Sequence, residues 1–192
     1  SGAMQNFMLA LTASPDPPAW TTWTQLSLVV TGTALIAIGM PTSTPWLMAV
    51  GGTAFVAAMA ILAWMLRRAW RMSLNKRHPF PMAAYAAALL AALIGGTLGG
   101  LMGSHVVVGE TYLHLRSAHM TLNVLGFASL TVVGTLVTLL PTALRVRMPY
   151  WRGWAALALF VGGLLLQLLG WDLGSSPVLA AASRAENPPG FD

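Results

Sequence analysis

The chain has 192 residues, 56% of them hydrophobic and 8% charged, with a formal net charge of +5 and a mean hydropathy of +0.69. Soluble domains carry about 25% charged residues, so this composition cannot cover a soluble surface and implies an integral membrane protein, all-α, a polytopic transmembrane helix bundle. Cys is absent, which excludes disulfides, thiolate-bound zinc and iron–sulfur clusters and leaves His, Met and oxygen as ligands for any metal or cofactor.

Ser1, Gly2 and Ala3, ahead of Met4, resemble the scar of tag removal. Together with the N-terminal segment up to residue 21 they are set apart from a transmembrane domain over 22–173 and a C-terminal tail over 174–192. No signal peptide is expected before the first apolar stretch. About five spans are predicted. The first covers 22–40 and stops at Pro41. The second covers 45–66 and leads into a basic turn with Arg67, Arg68, Arg71, Lys76 and Arg77. Pro79 and Pro81 close that turn, and the third span covers 82–108. The fourth starts near Tyr112 and is kinked near its end by Pro141, which removes a backbone hydrogen bond. The fifth covers 154–173. The tail mixes Ser, Ala, Pro and charge, with room for one surface turn of helix.

Eight of the ten Lys and Arg residues fall in the loops 67–77 and 145–152. In a soluble protein such charge would point to nucleic acid; in short loops of a membrane protein it sets topology. Nucleic acid is therefore not an expected partner, and the lipid bilayer is. The positive-inside rule places both loops in the cytoplasm, the connection 105–111, which holds Glu110 and no Lys or Arg, outside, the N-terminus inside and the C-terminus outside. The expectation is a multi-pass protein of the cell membrane. Trp20, Trp23, Trp46, Trp70, Trp151 and Trp154 fall at predicted helix ends, where interfacial aromatics belong.

The groups able to do chemistry gather at one end. His105, His114, Arg116 and His119 lie at the outer ends of the third and fourth spans, whereas His78 lies in the basic loop and reads as structural or solvated. His119 is the deepest. Asn123, four residues on, shares its helix face. His114 and His119, five apart, are separated by roughly 140° on a regular helix and do not suit one metal together. His119 therefore pairs better with His105 or with a symmetry-related His119 in a homo-oligomer; the plain alternative is a hydrogen bond from His119 to a backbone carbonyl. Arg116 has the fork geometry to clamp a carboxylate such as a haem propionate, or it snorkels to the interface. Met102 and Met120 offer soft ligands for Cu(I).

Gly95, Gly99 and Gly103, with Gly96 and Gly100 beside them, form a smooth ridge. Such a ridge admits close helix packing or a flat macrocycle. Gly126, Ser129 and Gly134 suggest a matching face on the fourth span. Thr121, Thr131, Thr135 and Thr138 need no function beyond bonding back to helix carbonyls. The five acids, Asp16, Glu110, Asp172, Glu186 and Asp192, include none in mid-membrane. No paired carboxylates, nucleophile–base constellation or phosphate loop is present.

The segment from Leu115 to Met148, LRSAHMTLNVLGFASLTVVGTLVTLLPTALRVRM, resembles the histidine helix in the membrane domain of actinobacterial multicopper oxidase and copper nitrite reductase-like fusion proteins. More distantly, LRSAH is similar to the helix that supplies a low-spin haem ligand in subunit I of haem-copper oxidases. The closer match falls on His119, Leu122, Asn123, Gly126, Thr131, Gly134, Thr135, Thr138, Pro141 and Thr142, with Phe127 where that family tends to have Trp. The resemblance implies that His119 is an axial haem b ligand or a metal ligand on the outer side. It also implies electron transfer from a quinol to a cupredoxin, copper or haem (cytochrome) partner, as an oxidoreductase component of a larger membrane complex. The chain has no cupredoxin domain and lacks the further His-bearing helices of longer members, so oxidase activity by this chain alone is not expected. Copper handling through His105, His114 and His119, and a non-catalytic helical scaffold, are the alternative readings.

Overall fold

A computed structural model describes residues 2–73, 79–107, 109–145 and 150–174. The basic-loop residues Asn75, Lys76, Arg77 and His78, the residue Arg147, and the tail beyond residue 174 lie outside the described residues. The chain is all-helical among the described residues, with five helices long and apolar enough to cross a membrane. A short helix α1 (Gly2–Thr12) precedes α2 (Ala19–Gly39), α3 (Pro45–Met72) and α4 (Pro79–Gly103). The fourth span is built from α5 (Glu110–Thr121), a π-helical stretch (Leu122–Ser129) and α6 (Leu130–Ala143), and α7 (Tyr150–Gly174) is the fifth.

Several boundaries differ from the sequence expectation, each for a local reason. α3 continues through Arg67, Arg68 and Arg71 to Met72, so the basic residues ride on its last turns instead of forming a loop. Cations there complement the partial negative charge of a helix C-terminus. Pro79 and Pro81 open α4 because the first turn needs no N–H from them. The third span ends at Gly103, earlier than the expected 108, and the next residues turn through His105, whose φ is 59°. Pro141 lies inside α6, which ends two residues later at Ala143.

The core sits around α3 and α4. Ala58, Met59, Leu62 and Met65 of α3 pack with Ala84, Tyr85, Ala88 and Leu89 of α4. α4 is the central helix, with α3 on one side and the fourth span on the other; α2 packs on α3, and α7 packs on α4, α5 and the π-helical stretch. Met4 and Met8 of α1 are buried in the same core. Two backbone contacts pin this N-terminal segment to the basic end of α3: Ser73 Oγ donates to Thr12 O at 3.0 Å and Arg68 Nη1 to Pro15 O at 3.3 Å.

The outer surface is apolar. Leu159 and Leu166 are 78% and 71% exposed, and Trp20, Trp23, Trp46 and Trp151 are all more than half exposed near helix starts. Exposed leucines suit a hydrocarbon layer, and Trp20, Trp23 and Trp151 at the basic end with Trp46 at the other suit its interfaces. Because α3 begins at the end where Met48 lines the histidine cavity described below and finishes at Met72, Arg67, Arg68 and Arg71 lie at the opposite end of the bundle from His105 and His119.

Candidate functional site

The site begins with a close approach between α4 and the fourth span. At Gly99 a Cβ would lie 2.5 Å from His119 Cε1 and 2.9 Å from Nδ1; at Gly95 it would lie 2.6 Å from Asn123 Nδ2. The His119 ring therefore rests directly on α4 backbone, in space that any side chain would fill. The glycine ridge is in fact two faces. Gly95 and Gly99 meet the fourth span, whereas Gly96, Gly100 and Gly103 turn toward Phe55, Gly52 and Met48 of α3. The matching face on the fourth span is also present, with Gly126 against Ala91 and Gly134 against Ala84 and Tyr85.

Hydrogen bonds fix the ring. His119 Nδ1 is 2.7 Å from Gly95 O, across the helix pair. A carbonyl can only accept, so Nδ1 carries the proton and donates. Asn123 Nδ2 lies 3.1 Å from the same Nδ1 and 2.8 Å from His119 O. With Nδ1 already protonated, the amide donates to the His119 carbonyl, and its proximity to Nδ1 is packing. The expected pairing of His119 with Asn123 on one face is thus observed, and so is the backbone-carbonyl bond. In a neutral ring this tautomer leaves Nε2 with its lone pair, and Nε2 has no hydrogen-bond partner among the described residues.

Local backbone helps to aim these groups. From Leu122 the helix changes to π-helical spacing, a device common at functional sites. Asn123 covers the His119 carbonyl at the point where the ladder changes, and Ser129 Oγ donates five residues back to Val124 O at 3.1 Å. Thr131, Thr135 and Thr138 bond to the carbonyls four residues before them, as their side chains allow without any ligand. Thr135 also shares a 2.9 Å hydrogen bond with Tyr85 OH, tying α6 to α4.

His119 opens on a cavity of about 920 Å³ between α2, α3, α4 and the fourth span. Of the residues singled out in the sequence, His105, Arg116, His119, Asn123, Met102 and Met120 line it, together with Gly96, Gly99, Gly100 and Gly103. His114 does not, consistent with its angular separation from His119. Among the described residues no three of His, Cys, Asp and Glu come together to hold a metal ion, so His105, His114 and His119 are not assembled as one ligand set. Sequence reasoning missed the α2 and α3 walls, Thr33, Ile36, Met48, Gly52 and Phe55, and it missed Gly95 O as the partner of His119. Nothing in an apolar helix distinguishes these residues before packing brings them to the cavity.

One consequence follows for Asn123. Asn123→Ala removes the side-chain bond to the His119 carbonyl, for an expected loss of about 0.5–1.5 kcal/mol, read as thermal unfolding in detergent; Ser129→Ala, a residue remote from the ring, is the reference. An Asn123→Ala protein as stable as wild type would show that the bond contributes nothing.

No protein-family model, curated protein or solved structure matches this chain, so the chemistry of the site rests on its own geometry.

Proposed function

We propose that this membrane-spanning helical protein binds a b-type haem through His119 and transfers electrons, from a quinol toward a copper or haem partner on the outer side. The observation that carries the reading is the His119 tautomer: Nδ1 is committed to Gly95 O, and Nε2 is left without a partner on a residue that lines a large cavity. A ligating histidine characteristically donates its other ring nitrogen to a carbonyl or carboxylate, which fixes the tautomer and orients the ring. The cavity volume falls within the range of about 300–1,000 Å³ typical of small-molecule and cofactor sites.

The donor set fits such a group. Gly96, Gly99 and Gly100 give a wall without side chains, and Ile36, Met48 and Phe55 give apolar cover. Arg116 is exposed at the cavity and makes no ion pair among the described residues; it supplies a fork of N–H donors for a carboxylate. When bound, haem supplies one-electron redox chemistry, while the protein sets ligation, burial and carboxylate contacts. The resemblance of the His119 helix to haem- and copper-binding membrane helices points the same way.

A visible absorption spectrum of detergent-purified protein, expressed with ample haem, tests the reading. A sharp Soret band at about one haem per chain supports it. Bound copper without haem would transfer the site to copper handling, for which the thioethers of Met48, Met102 and Met120 around the same cavity are suitable Cu(I) ligands. Neither cofactor would leave a helical scaffold.

The electron path also requires an orientation. The cavity end faces outward if the basic end of α3 is cytoplasmic, as the positive-inside rule indicates. In a chain with no native Cys, single cysteines report this cleanly. Thr42→Cys, exposed at the cavity end between α2 and α3, should be labelled by an impermeant maleimide added to intact cells, and Asn75→Cys should not. The reverse pattern overturns the orientation.

A further inference from the structure

A second cavity, of about 550 Å³, lies at the other end of the bundle, between α3, α4 and α7. It is a groove along α4 from Pro79 to Leu93, and its walls are apolar apart from Arg67. Fourteen helical steps at about 1.5 Å each give a length of roughly 21 Å, close to one leaflet of a bilayer whose hydrocarbon core is about 30 Å thick. Leu90 and Trp154 are 60% and 43% exposed, so the groove opens sideways toward lipid. Its charged residue and its two aromatics, Trp70 and Trp154, all belong to the helix ends at the basic side.

We propose that this groove is a binding site for an anionic glycerophospholipid, with the phosphate at Arg67 and one acyl chain along Ala86, Leu89 and Leu93. The occupant follows from charge and shape together. Arg67 is exposed and makes no ion pair among the described residues. A cation at the interface end of a leaflet-long apolar groove complements an amphiphile with an anionic head and a long hydrocarbon tail. Guanidinium matches phosphate oxygens in a bidentate fork. Trp70 and Trp154 stand at headgroup level, where indole rings settle. Small side chains at Ala63, Ala83 and Ala86 keep the channel open.

The test uses the full chain, purified in mild detergent and supplied with equal amounts of phosphatidylglycerol and phosphatidylcholine of identical acyl chains; native mass spectrometry reads the retained lipid. Wild type should retain phosphatidylglycerol with about fivefold preference, the size expected for one Lys or Arg near an anionic surface. Arg67→Gln should abolish the preference, whereas Arg71→Gln, which does not line the groove, should keep it. Ala86→Trp should lower retention of both lipids by filling the channel. Equal retention of the two lipids by wild type, an unchanged preference in Arg67→Gln, or a dimer that Ala86→Trp dissociates would overturn the assignment, the last by giving the groove to a second copy. Haem content plays no part in this readout, so the lipid site stands or falls separately from the His119 site.

Discussion

On the haem reading proposed above, His119→Ala is expected to abolish the haem spectrum and, with or without haem, to lower the stability of the protein. The loss of ligation follows because His119 lines the cavity with Nε2 unpartnered among the described residues, no thiolate exists in the chain, and His114 does not reach that cavity. The loss of stability follows because the bond that His119 Nδ1 donates across the helix pair to Gly95 O is lost; with the carbonyl still inside the α4 ladder, such a bond is worth about 0.5–1.5 kcal/mol. The two effects are separable. Protein prepared without haem should still show the fall in thermal stability, and only haem-loaded protein should show the spectral change. His105→Ala tests whether His105 would be a second ligand of a bound haem: loss of a six-coordinate spectrum would make it so, and retention would point to a second copy of the chain. An unaltered Soret band in His119→Ala would remove haem ligation from this residue. Unaltered stability of the haem-free variant would contradict the hydrogen bond itself.

Gly99→Leu should have the second large effect, through volume and not through chemistry. The first atom of any side chain at residue 99 lies 2.5 Å from His119 Cε1, so the ring or the whole fourth span must move. Overpacking of a tight helix contact costs about 1–3 kcal/mol, and displacement of the ring also breaks the bond to Gly95 O. Gly99→Ala should already lower cofactor content, since its Cβ alone collides. Gly163 of α7 is the internal control: it does not line the cavity and a Cβ there meets nothing within 4 Å, so Gly163→Ala should be neutral or stabilising, as replacing a mid-helix glycine by alanine is worth up to about 1 kcal/mol. Equal stability and equal cofactor content in Gly99→Leu and wild type would mean that the two helices do not meet at this position.

Much of this molecule was legible before any coordinates. The near absence of charge from five apolar stretches determined that they are membrane helices, because a charge or an unpaired peptide group is too costly in hydrocarbon. The tryptophans near helix ends and the clustering of arginine on one side followed from the same solvent argument. The spacing of His119 and Asn123 placed them on one face, and the separation of His114 from His119 set them apart, because helical geometry is local.

What the tertiary structure decided is which groups meet. The sequence shows five glycines in α4 but not that Gly95 and Gly99 serve the fourth span while Gly100 and Gly103 serve α3; that depends on the rotation of α4 between its neighbours. It shows His119 but not the Gly95 carbonyl that selects its tautomer, since every residue carries such a carbonyl and only packing chooses one. The π-helical stretch after Thr121 had no sequence signal. The burial of Met4 and Met8 was likewise invisible, since two methionines in a short polar-edged segment read the same whether they face lipid, water or a core. Local periodicity specifies elements; the cavity at His119 and the groove at Arg67 exist only because four and three helices, respectively, converge.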